Sequence, residues 1–140
     1  MPDTAEMTPE AAERYFAEAF VLENRRERLA YELAHPKKRY RALSRFCHQA
    51  ETLLDPARIR IRDGGTAGWT ALTAFAAAHD APVTVISPDP WLDGLILPFT
   101  EAVRRLPDAQ DAAIVIGPGF AVVRAEPMRG PTPLYLLTEA

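Results

Sequence analysis

Residues 58–87 read "RIRIRDGGTAGWTALTAFAAAHDAPVTVIS", and the hydrophobic period changes twice within them. "RIRIRD", Arg58 to Asp63, alternates strictly, which is the two-residue period of a strand. That alternation predicts Ile59 and Ile61 on one face, with Arg58, Arg60 and Arg62 on the other. "GGTAGW" reads as a loop. "TALTAFAAAHD", Thr70 to Asp80, reads as a short, mostly buried helix. "PVTVIS", Pro82 to Ser87, is an apolar β-branched run typical of an inner strand. A strand, a helix and a strand in succession predict a parallel, right-handed crossover.

Toward the N-terminus the pattern is helical. Thr8 can cap a helix, Pro9 suits its first position, and Glu10 and Glu13 suit the positive end of its dipole. Tyr15, Ala19, Leu22, Leu29 and Leu33 repeat at helical spacing, so the helix is expected to run to about Ala34. Pro36 stops it and opens a second helix, expected to reach about Leu54. The apolar face of that helix is read as Tyr40, Leu43, Phe46, Cys47, Ala50, Leu53 and Leu54.

Toward the C-terminus, "PDPWLDG" is turn material, and a helix is expected from about Pro98 to Leu106. "AAIVI", "FAVVRAE" and "PLYLLTE" read as strands, and Pro118-Gly119 fits the two central positions of a type II turn. The expected fold is α+β in a single domain over residues 1–140. An N-terminal helical pair (8–54) precedes a mixed sheet of about five strands with two packed helices (57–140). The strand-helix-strand crossovers in it would be parallel and the final hairpin antiparallel.

Composition limits the function classes. The 140 residues are 48% hydrophobic and 25% charged, which suits a globular domain and argues against global disorder. A net charge of -3 gives no whole-molecule attraction to nucleic acid or membrane. No basic and apolar leader opens the chain, and no run approaches the roughly 20 apolar residues of a membrane span. One cysteine excludes an internal disulfide and a multi-cysteine metal site. A cytoplasmic location is expected. The 14 arginines against two lysines, with abundant alanine and proline, suggest the coding bias of a GC-rich genome.

Charge is segregated along the chain. Residues 24–62 hold eleven basic and four acidic side chains, net +7, between flanks of net -5 each. On a helix opening at Pro36, Lys37, Lys38, Arg41, Arg45 and His48 share one side. Arg58 and Arg60 could extend that surface. Forked arginines bind phosphates and carboxylates through paired donors, so the partner expected is an acidic protein or a phosphate-bearing molecule, nucleic acid included. The sequence lacks a ribonucleoprotein signature and zinc-finger spacing. The competing reading is a solvated face neutralised by carboxylates elsewhere in the chain. A third is a homo-oligomer in which the acidic first helix docks on the basic helix of another copy.

No catalytic residue, cofactor or metal ligand is assigned. Cys47 and His48 are adjacent on a helix and point about 100° apart, so adjacency does not make them a nucleophile-base pair. Cys47 falls on the apolar row and is expected in the core. The alternative function is a small enzyme or ligand binder. It would use the Gly64-Gly65 loop, placed before a helix as phosphate loops are, or Asp63, Asp89 and Asp93. Those aspartates follow strands and would converge only if the strands were parallel neighbours.

"NRRERLAYEL", "PKKRYRALSRFCHQAETLL" and "VISPDPWLDG" resemble a group of small, uncharacterised bacterial proteins. The shared features are Arg45-Phe46-Cys47-His48 on a basic helix, an Ile-Ser turn, and Leu92-Asp93-Gly94. The resemblance implies a small bacterial cytoplasmic protein and brings no activity, cofactor or catalytic residue with it.

Overall fold

The computed structural model describes residues 8–62, 64–108, 112–125 and 133–139. Helix α1 (Pro9–Phe20) starts as expected, with the Thr8 hydroxyl accepting from the Ala11 N–H at 3.1 Å. It stops at Phe20, fourteen residues short of the expected end at Ala34, because Val21 is extended and bridges Leu54. The Leu22 N–H donates to the Leu53 carbonyl, and the Asp55 N–H to that of Phe20, each at 2.9 Å. These tertiary partners replace the bonds a continuous helix would have made. Neither proline nor glycine marks the break. Helix α2 (Glu23–Ala34) then returns along α1. Helix α3 (Pro36–His48) follows after His35, and a bend at Gln49 separates it from the short α4 (Ala50–Leu53).

The strands are β1 (Ile59–Arg62), β2 (Pro82–Ile86), β3 (Ile96–Pro98), β4 (Ala113–Gly117), β5 (Phe120–Arg124) and β6 (Leu134–Thr138). They form one sheet in the order β1-β6-β5-β4-β2-β3, with every neighbouring pair antiparallel. Helix α5 (Thr66–Ala78) joins β1 to β2, and α6 (Phe99–Arg105) joins β3 to β4. The α+β class stands. The sheet is antiparallel rather than mixed, and it has six strands rather than five.

Two facts explain the difference. Strands β1 and β2 do run the same way across α5, but β6, β5 and β4 lie between them. The unexpected β3 reverses the chain beside β2, so α6 carries it back to a β4 antiparallel to β2. Strand β3 is a short edge strand whose last residue is Pro98, a position where a missing donor costs nothing. Helix α5 also begins four residues before the expected Thr70, so most of "GGTAGW" belongs to its first turns.

Helices cover both faces. On one, Phe16, Phe20, Leu43 and Phe46 pack on Ile86, Ile114, Ile116, Val123 and Leu137. On the other, Leu72, Phe99 and Val103 pack on Val83, Val85, Val115, Val122 and Leu136. This double cover explains why β4 and β5 are buried at every position and read as continuous apolar runs, although antiparallel. Gly119 has φ 83°, as the second central residue of the expected turn requires. Gly117 opposes Phe120 across that hairpin, and a Cβ there would overlap the Phe120 ring.

Strand β1 departs from the simple alternation. Ile59 pairs with Leu137 and Ile61 with Leu136, so the register slips between them. Such a bulge turns the two isoleucines to opposite faces. Ile59 joins the helical layer of α1 to α4, and Ile61 joins the layer of α5 and α6. Arg62 then lies opposite Tyr135 and pairs with Glu51 at 3.0 Å.

Candidate functional site

Helix α3 splits into a dry and a wet side much as its spacing demands. Ala42, Leu43, Phe46 and Cys47 are buried, while Lys37, Lys38, Arg41, Arg45 and His48 are exposed. Tyr40 is the exception: it is 65% exposed and not on the dry side as expected. Its place belongs to Arg39, four residues before Leu43 and seven before Phe46, hence on the apolar stripe.

Arg39 is the hub of a polar network that joins three elements. Its Nε and Nη2 donate to the two carboxylate oxygens of Asp93, at 3.2 and 2.6 Å. Its Nη1 donates to the carboxylate of Glu13 on α1 and to the Leu33 carbonyl. Glu13 is only 5% exposed, and burial pushes its carboxyl above the usual carboxylate range; Arg39 offsets part of that cost. Asp93 also accepts from the Ser87 N–H at 3.1 Å. The Ser87 hydroxyl donates to the Ala112 carbonyl and accepts from the Asp89 N–H. The network fastens the β2–β3 turn to α1 and α3. All three guanidinium nitrogens are engaged, so its chemistry is structural.

The expected basic row has mixed fates. Arg45 donates to Glu32 at 2.6 Å, and the other Glu32 oxygen takes Arg28 at 3.3 Å. The Lys38 ammonium sits 5.1 Å above the Tyr31 ring, a cation–π contact. Lys37 and Arg41 are exposed and make no ion pair among the described residues. Arg58 donates to the Glu139 carbonyl, tying the start of β1 to the residue after β6, and Arg60 donates to that of the nearby Ala57, so both brace backbone.

A cleft of roughly 170 Å³ opens between α2, α3 and α4. Arg25, Arg28, Glu32 and Arg45 stand on its walls, and Leu29 and Phe46 lie in its floor. Of the four charged residues, only Arg45 belongs to the expected binding surface. The missed signal was the spacing 25, 28 and 32 on α2, which puts two arginines and a glutamate on one face.

The other candidates disperse. Asp63 lies outside the described residues. Asp93 is taken by Arg39, and Asp89 accepts from the Trp91 N–H at 2.9 Å as a turn residue does. The condition set for their convergence is not met, because β1 and β2 are not neighbours. No group of His, Cys, Asp and Glu among the described residues could hold a metal ion. Gly65 precedes α5 without a side-chain cap. The shallow recess beside it is lined by residues such as Thr66, Trp69 and Thr73, none of them titratable. Cys47 is buried in the core, as expected.

No helix among the described residues is long and apolar enough to cross a membrane. No family model matches the chain, and neither does any curated protein or solved structure.

Proposed function

We propose that the protein is a non-enzymatic interaction module. It presents the cationic surface of α2 and α3 to an acidic protein or a phosphate-bearing partner. The reading is carried by one observation: Arg25, Lys37 and Arg41 are exposed and have no carboxylate partner among the described residues. Carboxylates of the same chain consume Arg39 and part of Arg45, and leave these three open. Exposed charges of one sign chiefly raise association rates and give salt-sensitive binding.

The enzyme or ligand-binder reading has less support. Among the described residues the Gly64-Gly65 recess has no titratable side chain in its lining, and Asp89 and Asp93 serve the fold. A second copy is the competing occupant, its acidic α1 on this surface. The lone buried cysteine suits the cytoplasmic setting we propose.

The test is binding of a labelled poly-glutamate peptide and of polyphosphate at low and high salt. The Lys37→Glu, Lys38→Glu, Arg41→Glu variant should bind at least one of them about tenfold more weakly, with a shallower salt dependence. Unchanged affinity for both contradicts the proposal. Light scattering at both salt levels separates the second-copy occupant, since a salt-sensitive dimer would displace the reading.

A further inference from the structure

We infer that the cleft between α2 and α3 is a site for a phosphate monoester bearing a small apolar group. The inference rests on the cationic surface proposed above and names the ligand for its one concave part. Three guanidiniums, of Arg25, Arg28 and Arg45, meet there with one carboxylate, of Glu32. The local charge is +2, which matches the -1.5 to -2 that a phosphate monoester carries at about pH 7.

Glu32 does not cancel the site; it organises it. One of its oxygens takes the Nε of Arg28 and the other the Nη2 of Arg45. A guanidinium has five N–H donors, so each arginine keeps most of its fork for a ligand while its position is fixed. Arg25 has no partner among the described residues. A free arginine beside two pre-set ones suits the three acceptor oxygens of a phosphate. The floor adds the second requirement. Leu29 and Phe46 close the floor, and the half-buried Leu53 lines the cleft with them, so bare phosphate leaves apolar surface uncovered. At roughly 170 Å³ the cleft is smaller than the ~300–1,000 Å³ of drug-sized sites. It takes a phosphate and a short apolar stub. A free phosphate ester and a phosphorylated side chain both present that chemistry.

The test is calorimetric titration of the full chain with phenyl phosphate, inorganic phosphate and benzoate, and with a peptide in phosphorylated and unphosphorylated forms. Phenyl phosphate should bind at least about tenfold more tightly than either inorganic phosphate or benzoate. Its affinity should rise from pH 5 to 7 as the second phosphate proton leaves near pH 6. Arg25→Gln with Arg28→Gln should remove that preference, and Arg104→Gln on α6, in the opposite helical layer, should leave it intact. Both arginines are exposed, so the double variant folds. Phosphopeptide binding stronger than that of phenyl phosphate assigns the source to a protein partner, and the reverse assigns a free ester. Equal binding of benzoate, or retained binding in the double variant, overturns the inference. If polyanion binding survives that result, the pocket alone is refuted; if polyanion binding is also absent, the broader function fails with it.

Discussion

Arg39 and Glu13 are the residues on which the helical layer depends most. Replacing Arg39 by Met leaves two carboxylates facing each other, one of them buried, and removal of one partner of such a pair typically costs roughly 3–5 kcal/mol. Glu13→Gln should cost far less, within about 1 kcal/mol, because the amide oxygen still accepts from Arg39 and Arg39 keeps Asp93. Urea denaturation of the two variants checks this asymmetry, and equal losses contradict it. The sign of the pH effect follows. Glu13 is pushed above its ordinary value of 4.5, so the native state holds that proton more tightly than the unfolded chain does. Its contribution to stability therefore falls as pH rises from 4.5 through the raised value. Glu13→Gln lacks this loss and should gain on the parent across that window. Arg39 was legible in principle. It sits at i−4 from Leu43, on a stripe where an arginine needs a partner, but the neighbouring aromatic at position 40 was the more obvious core residue.

At the scale of elements, the fold is held by contacts that bind distant segments. The Tyr15 hydroxyl on α1 donates to the Glu139 carboxylate at 2.6 Å and accepts from the Gly119 N–H at 2.9 Å. Burial and the Glu139 carboxylate push this phenol far above its usual range. Tyr15→Phe should cost about 1–2 kcal/mol, since it leaves the turn N–H and the carboxylate without this partner. It should also remove part of the alkaline destabilisation that begins near pH 10, where the unfolded tyrosine starts to ionise. Thermal melts at neutral and alkaline pH check both. Gly117→Ala should be worse than Tyr15→Phe, because the added carbon meets the Phe120 ring inside the core beneath α5 and α6. Strand positions and the Pro118-Gly119 turn were legible because apolar runs and φ preferences are local. The break after Phe20, the bend at Gln49, the bulge in β1 and the pairing of β3 were not. Three of these are set by a partner outside the segment: Leu54 for Val21, Leu136 and Leu137 for β1, and β2 for β3; at Gln49 the N–H bonds the nearby Arg45 and Phe46 carbonyls instead.

For the whole molecule, the segregation of charge in the sequence becomes segregation in space. The positive segment 24–62 supplies α2, α3 and α4, the elements that wall the cleft. The chain's carboxylates intercept only some of those charges. The basic row on α3 was legible from helical spacing. The cleft was not, because its α2 wall comes from Arg25, Arg28 and Glu32, which the helical spacing of the apolar residues did not single out. The central claim is that this surface is where an anion binds. A backbone amide chemical-shift map during titration with polyphosphate tests it directly. Shifts should gather in residues 25–52, with Arg25, Arg28, Arg41, Arg45 and Gln49 among the largest. Shifts centred on the Gly64-Gly65 recess, or none up to saturating probe, would contradict it.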